Sequence, residues 1–283
     1  MPYPCRHTHI RSNVGKQLWI LTHSLSGRNW QRFQVHDEHA QVHDAWVLAE
    51  WHGDPSDDGV ARLPDHAVSN TDPLVVGRHF FWDYCRRGQG AGKPIKSAMN
   101  SFAPGDTILF GSHNKALGGL VVDTVFVVGE TRPWPTSSDE IPAWSDLDDV
   151  ALRTHFQRIA HRHDHPEVHV LVRCQPVQSY RSRRRADAGS GVGEPGDGYS
   201  WVPFATSRRD TPFVLRPDSR AHGLIAAVFP ERPLASYASG SFPVTTVADD
   251  VAADLHGTLR DEARSQGFGI GVEVQLIRAQ QTM

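Results

Sequence analysis

The sequence predicts a fold of the α+β class, and two kinds of pattern support this prediction. Short apolar runs with strand character recur along the chain, separated by segments rich in Gly, Pro and Asp. Between some of these runs lie longer segments whose apolar residues recur at helical spacing. The predicted strands cover residues 17–22, 45–51, 107–111, 120–128, 168–172, 199–204, 223–229 and 268–277.

Three helices are predicted from start signals and periodicity. Pro94 can occupy the first turn of a helix whose apolar residues, at positions 95, 98, 99 and 102, share one face. Residues 145–148 and 246–249 each match the S/T-x-x-D pattern of a capping box, and an apolar stripe follows each of them. Gly267 is expected to end the last helix.

Two of the strands carry a prediction about burial. Residues 120–128 are apolar on both faces apart from Asp123 and Thr124, which is typical of a central strand covered on both sides. The last strand alternates cleanly between apolar and other residues, so one of its faces should be buried. The residues of that face are Phe268, Ile270, Val272, Val274 and Leu276.

The order of these signals indicates how the chain is organised. Residues 1–131 are predicted to form an N-terminal part that carries the core elements, and residues 145–283 a C-terminal part that completes the same domain. Residues 132–144 contain three prolines and are predicted to connect the two parts. Residues 181–198 have almost no apolar side chain and are predicted to be a flexible loop.

Composition excludes several classes of protein. No apolar run approaches the roughly 20 residues that a membrane span requires, and the N-terminus lacks the apolar stretch of a secretory signal. The three cysteines are far apart and odd in number, which argues against a disulfide framework and favours the cytoplasm. The net charge of −3 is not that of a general polyanion binder, so any nucleic-acid contact must use a local basic patch.

The 17 histidines raise the question of a metal site. The run HRHDH supplies His161, His163 and His165, and it resembles the HxHxDH motif of the metallo-β-lactamase hydrolases, although it is one residue short. The competing interpretation is that basic residues at the end of a predicted helix interact with its dipole. A second group, His36, Asp37, His39, His43 and Asp44, is more typical of a solvated surface. We therefore predict no metal, with a metal-dependent hydrolase as the alternative.

No cofactor is predicted. Residues 191–196 match GxGxxG as a string, but an arginine run precedes them and Pro195 interrupts them, so the required strand and helix are missing. The pair Gly92-Lys93 fails the phosphate-loop pattern, because Arg87 and Pro94 stand where glycine and Ser or Thr are needed.

One stretch mixes aromatic and basic residues in a way that could bind nucleic acid. Aromatic rings can stack on bases while basic groups contact phosphates. The candidate stacking residues are Trp82 and Tyr84, and the candidate phosphate contacts are Arg86, Arg87 and Lys93. The competing interpretation is that the aromatic residues belong to the core, where such clusters usually pack. Arginines 181, 183, 184 and 185 form a second basic run.

The predicted helix, the turn Pro104-Gly105-Asp106, the strand TILFG and the strand GGLVVDTVFVVGE together resemble the core of the PUA-like superfamily, which includes the ASCH and EVE domains. The segments YSWVPF and QGFGIGVEV are similar to nucleotide-modification-associated domains of that superfamily. The resemblance implies a partly closed β-barrel with flanking helices. It also implies non-catalytic binding of nucleic acid or modified nucleotides, in DNA-modification or phage-conflict systems. A structural or interaction protein is a further alternative, and the oligomeric state stays open.

Overall fold

The computed structural model describes residues 16–22, 29–49, 73–83, 102–114, 116–135, 176–188, 198–230 and 244–277. The strands in this part of the chain are β1 (Lys16–Thr22), β2 (Asn29–Asp37), β3 (Val42–Ala49), β4 (Phe81–Asp83), β5 (Thr107–Asn114), β6 (Gly119–Pro135), β7 (Pro176–Ser182), β8 (Val202–Ala205), β9 (Val214–Leu215), β10 (Val244–Val247) and β11 (Gly269–Gln275). The helices are α1 (Arg185–Ala188), α2 (Arg220–Val228) and α3 (Asp249–Ser265).

The strands form one mixed sheet and one small barrel. The sheet has the order β10-β1-β5-β6-β7-β4, with β9 added beside β6. Its β1–β5 pair is parallel and the other pairs are antiparallel. Strands β11, β2, β3 and β8 close into a four-stranded antiparallel barrel. The α+β class and the presence of a barrel are therefore confirmed.

The core follows from the alternation of side chains along the sheet strands. Along β1, Trp19 and Leu21 join one hydrophobic cluster, whereas Leu18 and Ile20 join another. The first cluster continues into the barrel through the inward-facing residues of β2 and β3, and we call it the barrel cluster. The second lies beneath α2 and α3, and we call it the helix cluster. Residues 120–128 are buried throughout, which confirms a central strand covered on both faces.

The predicted turn before β5 is confirmed, and its residues have structural roles. Gly105 has a positive φ of 89°, a conformation that glycine adopts at little cost. The fully buried Asp106 carboxylate accepts hydrogen bonds from the backbone N–H groups of Gln17 and Ala103, each at 2.8 Å. These two bonds tie the turn to β1, so Asp106 connects the neighbouring strands.

Two local predictions near the helices were wrong. Residues 223–229 are predicted to form a strand, but all except the last belong to helix α2. Ser219 is the N-cap of this helix, and its side chain accepts a hydrogen bond from the His222 N–H. Short apolar runs do not distinguish a strand from a buried helix, and here Ala221 and Ile225 occupy one buried helical face. Helix α3 exists as predicted, but Thr246 lies in β10 and the N-cap is Ala248, so the capping box is absent.

Two segments that were predicted to lack regular structure form it in part. Strand β6 continues through Pro135 and pairs with β7, so the connector cannot begin at residue 132. In the predicted loop 181–198, residues 181 and 182 complete β7 and residues 185–188 form α1. Backbone bonds hold them, because the Ser182 N–H donates to Phe80 O and the Arg183 N–H to Val127 O. Residues 136–144 and 189–197 lie outside the described residues.

The final strand is present, but its five apolar residues do not share one buried face. A register shift between Gly271 and Glu273 interrupts the alternation. Phe268 and Ile270 therefore pack in the helix cluster and Val274 in the barrel cluster, while Val272 and Leu276 are partly buried. Gly267 follows α3 with a φ of 79°, as expected of the residue that ends it.

The predicted helices at 94–102 and 145–159 and the predicted strand at 168–172 fall on residues outside the described part, apart from Phe102, which is buried. None of the helices in the described ranges is long and apolar enough to cross a membrane.

Candidate anion-binding site

The structure places Trp82 in the core. The side chain lies on β4 and is 4% exposed. Its ring stacks on Tyr180 with centroids 5.1 Å apart and meets Phe102 and Phe110 edge-on at 5.6 and 5.5 Å. Trp82 thus packs within the barrel cluster, where neighbouring rings occupy the positions that a stacked base would need.

The other residues of the two predicted sites lie outside the described residues. They are Tyr84, Arg86, Arg87 and Lys93 of the nucleic-acid site, and His161, His163 and His165 of the alternative metal site. Trp82 is therefore the one member of these two sets whose surroundings can be described.

The second histidine group lies at the β2–β3 turn and is explained by the turn itself. Asp37 accepts backbone hydrogen bonds from His39 at 2.8 Å and Gln41 at 2.9 Å, and its other oxygen is 2.9 Å from His43 Nε2. Burial alone would raise the pKa of Asp37, but these hydrogen bonds outweigh it and lower that pKa. Among the described residues, no group of three His, Cys, Asp or Glu side chains is arranged to hold a metal ion.

A cluster of charged residues forms where the β2–β3 turn, α1, the segment before β8 and α3 meet. We call it the Glu38 cluster, and its members are Glu38, Arg185, Tyr199, Arg260 and Arg264. Arg185 and Arg264, from two separate helices, both pair with the Glu38 carboxylate, and Arg260 packs on the neighbouring Tyr199 ring. Of these residues, only Arg185 belongs to a basic run that the sequence pattern had indicated.

Glu38 is the centre of this cluster, with a side chain only 10% exposed. The Tyr199 hydroxyl donates to Glu38 Oε2 at 2.8 Å, and Arg264 forms an ion pair with Oε1. Arg185 Nη1 donates to the Glu38 backbone carbonyl and lies 3.5 Å from Oε2. Burial favours a higher pKa for Glu38, but the hydrogen bonds from Arg264 and Tyr199 outweigh it, so the pKa is lowered and the carboxylate stays ionised.

Tyr199 holds Arg260 in position through its ring. The Arg260 guanidinium lies over the ring at 4.9 Å from the centroid, and that of Arg185 lies at 5.8 Å. Burial, opposed in part by Arg260 and reinforced by the hydrogen bond to Glu38, raises the pKa of Tyr199 to about 12. The hydroxyl therefore remains a neutral donor, and the ring provides a cation–π contact for Arg260.

Helix α3 presents three of its polar residues as a stripe. His256, Arg260 and Arg264 are spaced four apart, so they lie along one side of the helix. The stripe runs from the interior outward, since His256 is 3% exposed whereas the Arg264 side chain is 44% exposed. Arg264 also pairs with Asp261 at 2.8 Å, whereas Nη1 of Arg260 is buried and has no hydrogen-bond partner among the described residues.

His256 forms the buried end of the stripe. Its Nε2 lies 2.9 Å from the Thr107 hydroxyl, and its Nδ1 has no partner in the described ranges. Gly198 packs directly on the ring, because a methyl group at that position would overlap the imidazole. Complete burial, together with the nearby Arg260 charge, lowers the pKa of His256 to about 4, so the ring is neutral at pH 7.

The sequence contained a signal for part of this cluster. The spacing of His256, Arg260 and Arg264 places a basic stripe beside the buried residues Leu255, Leu259 and Ala263 of the same helix. Glu38 and Tyr199 carry no comparable local signal, because only folding brings them to α3.

Comparison of the chain with known proteins found no match. No protein-family model, curated protein or solved structure matches the chain. The resemblance to the PUA-like superfamily therefore stays a prediction, and the proposed function rests on the chemistry of the Glu38 cluster.

Replacing Glu38 with alanine is expected to lower the free energy of unfolding by about 2 kcal/mol, because two arginines and the Tyr199 hydroxyl lose a largely buried acceptor. Urea unfolding would measure this loss. The matched control is Glu130→Ala, which breaks a more exposed pair with Arg132 and should cost less than about 1 kcal/mol. Equal losses in the two variants would show that the Glu38 cluster is not a stabilising centre.

Proposed function

We propose that this protein binds nucleic acid or nucleotides without catalysis, and that the Glu38 cluster is its phosphate-binding surface. The observation that carries the proposal is the surplus of guanidinium groups around Glu38. Arg185 and Arg264 both pair with Glu38, Arg264 pairs also with the exposed Asp261, and the buried Nη1 of Arg260 has no hydrogen-bond partner in the described part of the chain. Arginine is well suited to phosphate because its planar group donates several hydrogen bonds in a fixed geometry.

The location of the cluster supports a local rather than a general affinity for polyanions. The whole chain has a net charge of −3, so attraction must come from a patch. Arg183 and Arg184 directly precede Arg185 in the chain and add positive charge to that segment. The proposal keeps the ligand class expected from the sequence, but its phosphate contacts are on α1 and α3 instead of at Arg86, Arg87 and Lys93. Modified nucleotides and a PUA-like barrel remain part of it.

A structural or interaction role is the second candidate. The burial of Trp82 favours it, because a packed aromatic residue contributes to stability and needs no ligand. The two candidate functions differ in whether the protein binds oligonucleotides. A binding titration distinguishes them.

The test is a fluorescence anisotropy titration of single-stranded oligonucleotides at several salt concentrations, with unmodified and base-modified strands. The salt slope is the slope of the logarithm of the binding constant against the logarithm of the salt concentration. Removing one phosphate contact should reduce its magnitude by about 0.7 for a single strand. We expect this reduction for Arg185→Gln and for Arg264→Gln, because each variant removes the positive charge of one member of the Glu38 cluster.

The matched control is Arg220→Ala on α2. The Arg220 side chain is 71% exposed and pairs with Asp254 of α3, away from Glu38, so its removal should leave the slope unchanged. The proposal fails if no oligonucleotide binds at low salt, or if the control variant reduces the slope as much as the two cluster variants.

A further inference from the structure

The buried end of the α3 stripe contains two polar atoms without a partner among the described residues. They are Nδ1 of His256 and Nη1 of Arg260, and both are inaccessible to solvent. Buried polar groups are nearly always hydrogen-bonded, because an unmatched one costs free energy. The two residues are one helical turn apart on the same side of α3, and the Arg260 charge acts on the His256 ring, so the two side chains are neighbours.

The chemistry of the two atoms indicates what that group must be. The Thr107 hydroxyl can donate to Nε2 of His256, and in that arrangement the imidazole proton lies on Nδ1. Nη1 of arginine is always a donor. Two neighbouring donors, one of them charged, therefore both require an acceptor, and an oxyanion is the strongest acceptor for such a pair.

The surroundings limit how a ligand can enter. Gly198 closes one side of His256, and no side chain larger than hydrogen fits there. The Tyr199 ring covers Arg260, and its hydroxyl is bound to Glu38. Arg260 itself is partly exposed whereas its Nη1 is buried, so a ligand that reaches Nη1 from solvent has to enter beside the Arg260 side chain. A group at the end of a chain can do so, whereas an internal phosphodiester continues in two directions and cannot be enclosed.

We infer that Arg260 and His256 bind a phosphate monoester, the terminal phosphate of a nucleotide or of an oligonucleotide. This inference rests on the proposed function, since Arg264 and Arg185 would contact the remainder of the same ligand. A terminal phosphate has three unsubstituted oxygens and nearly two negative charges, which match the two unpartnered donors. The site thus selects the end of a strand or a free nucleotide.

The test compares oligonucleotides of one sequence that carry a 5′-phosphate, a 3′-phosphate or hydroxyls at both ends, together with the matching mononucleotide. We expect one of the phosphorylated forms to bind about tenfold more tightly than the unphosphorylated strand. Arg260→Lys keeps the charge but removes the fork geometry, so it should abolish this preference.

Two substitutions at His256 separate binding from folding. In His256→Asn the amide nitrogen can occupy the place of Nδ1, so the preference should be retained in part. In His256→Gln the amide reaches the place of Nε2 and the Nδ1 donor is missing, so the preference should disappear. Circular dichroism of both variants reports whether they remain folded.

A second measurement uses inorganic phosphate and does not depend on nucleic acid. It should raise the melting temperature of the parent protein above that in sodium chloride of the same ionic strength, and it should not do so for Arg260→Lys. Equal binding of phosphorylated and unphosphorylated strands, with no effect of phosphate, would overturn the inference and leave the proposed function intact. Stabilisation by phosphate without any oligonucleotide binding would instead refute the proposed function and retain the phosphate site.

Discussion

Replacement of Asp106 with alanine is expected to lower the free energy of unfolding by about 3–5 kcal/mol, the largest effect anticipated for a single polar residue of this protein. The fully buried carboxylate accepts hydrogen bonds from the Gln17 and Ala103 N–H groups. Each bond to a charged acceptor contributes about 1.5–3 kcal/mol, and alanine leaves both donors without that acceptor. Urea unfolding followed by circular dichroism would measure the loss.

Two further variants make this prediction specific. Asp106→Asn retains one oxygen acceptor, so we expect an intermediate loss. Asp210→Ala removes an exposed aspartate from a loop and should change the free energy of unfolding by less than about 0.5 kcal/mol. A variant at position 106 that is as stable as the Asp210 control would show that the turn does not depend on the carboxylate.

The second large effect concerns His256 and pH. Its pKa is about 4 in the folded protein and near 6.5 when unfolded, so below pH 6.5 the unfolded chain binds the extra proton. Stability from the neutral ring is therefore complete above pH 6.5 and decreases as the pH falls towards 4, by on the order of 3 kcal/mol in total. About 2 kcal/mol of this loss should occur between pH 7 and 5.

Restricting the measurement to pH 7–5 separates His256 from the acidic residues. The pKa values of Asp37 and Glu38 are lowered from 3.8 and 4.5, so their contributions are lost only below this range. His256→Gln should be less stable at pH 7 but show a flatter pH dependence. The control His36→Gln, at a partly exposed side chain on β2, should retain the slope of the parent protein. A parental slope in His256→Gln would disprove the assignment.

Local sequence patterns were sufficient to predict those features whose conformation depends mainly on neighbouring residues. The doubly buried run at 120–128, the turn at Asp106 and the end of α3 at Gly267 all follow from neighbouring residues, and the structure confirms them. Patterns failed where packing decides. The apolar run at 223–229 lies mostly in a helix because its buried face matches the helix cluster, and the bulge in β11 arises from its pairing with β2.

The candidate site also combines features that local patterns indicate with features that only packing determines. Residue type alone indicated that aromatic and basic groups could bind nucleic acid, but it gave no measure of burial, and Trp82 proved to pack against Tyr180. The Glu38 cluster joins residues that are far apart in the chain, such as Glu38 and Arg264.

Composition and periodicity thus established the α+β class and the central strand. Closure of the barrel, the burial of Trp82 and the meeting of Arg185 and Arg264 at Glu38 were decided by tertiary structure. The physical reason is that hydrogen bonding and desolvation depend on which distant groups come within a few ångströms, and that information is not contained in any short segment.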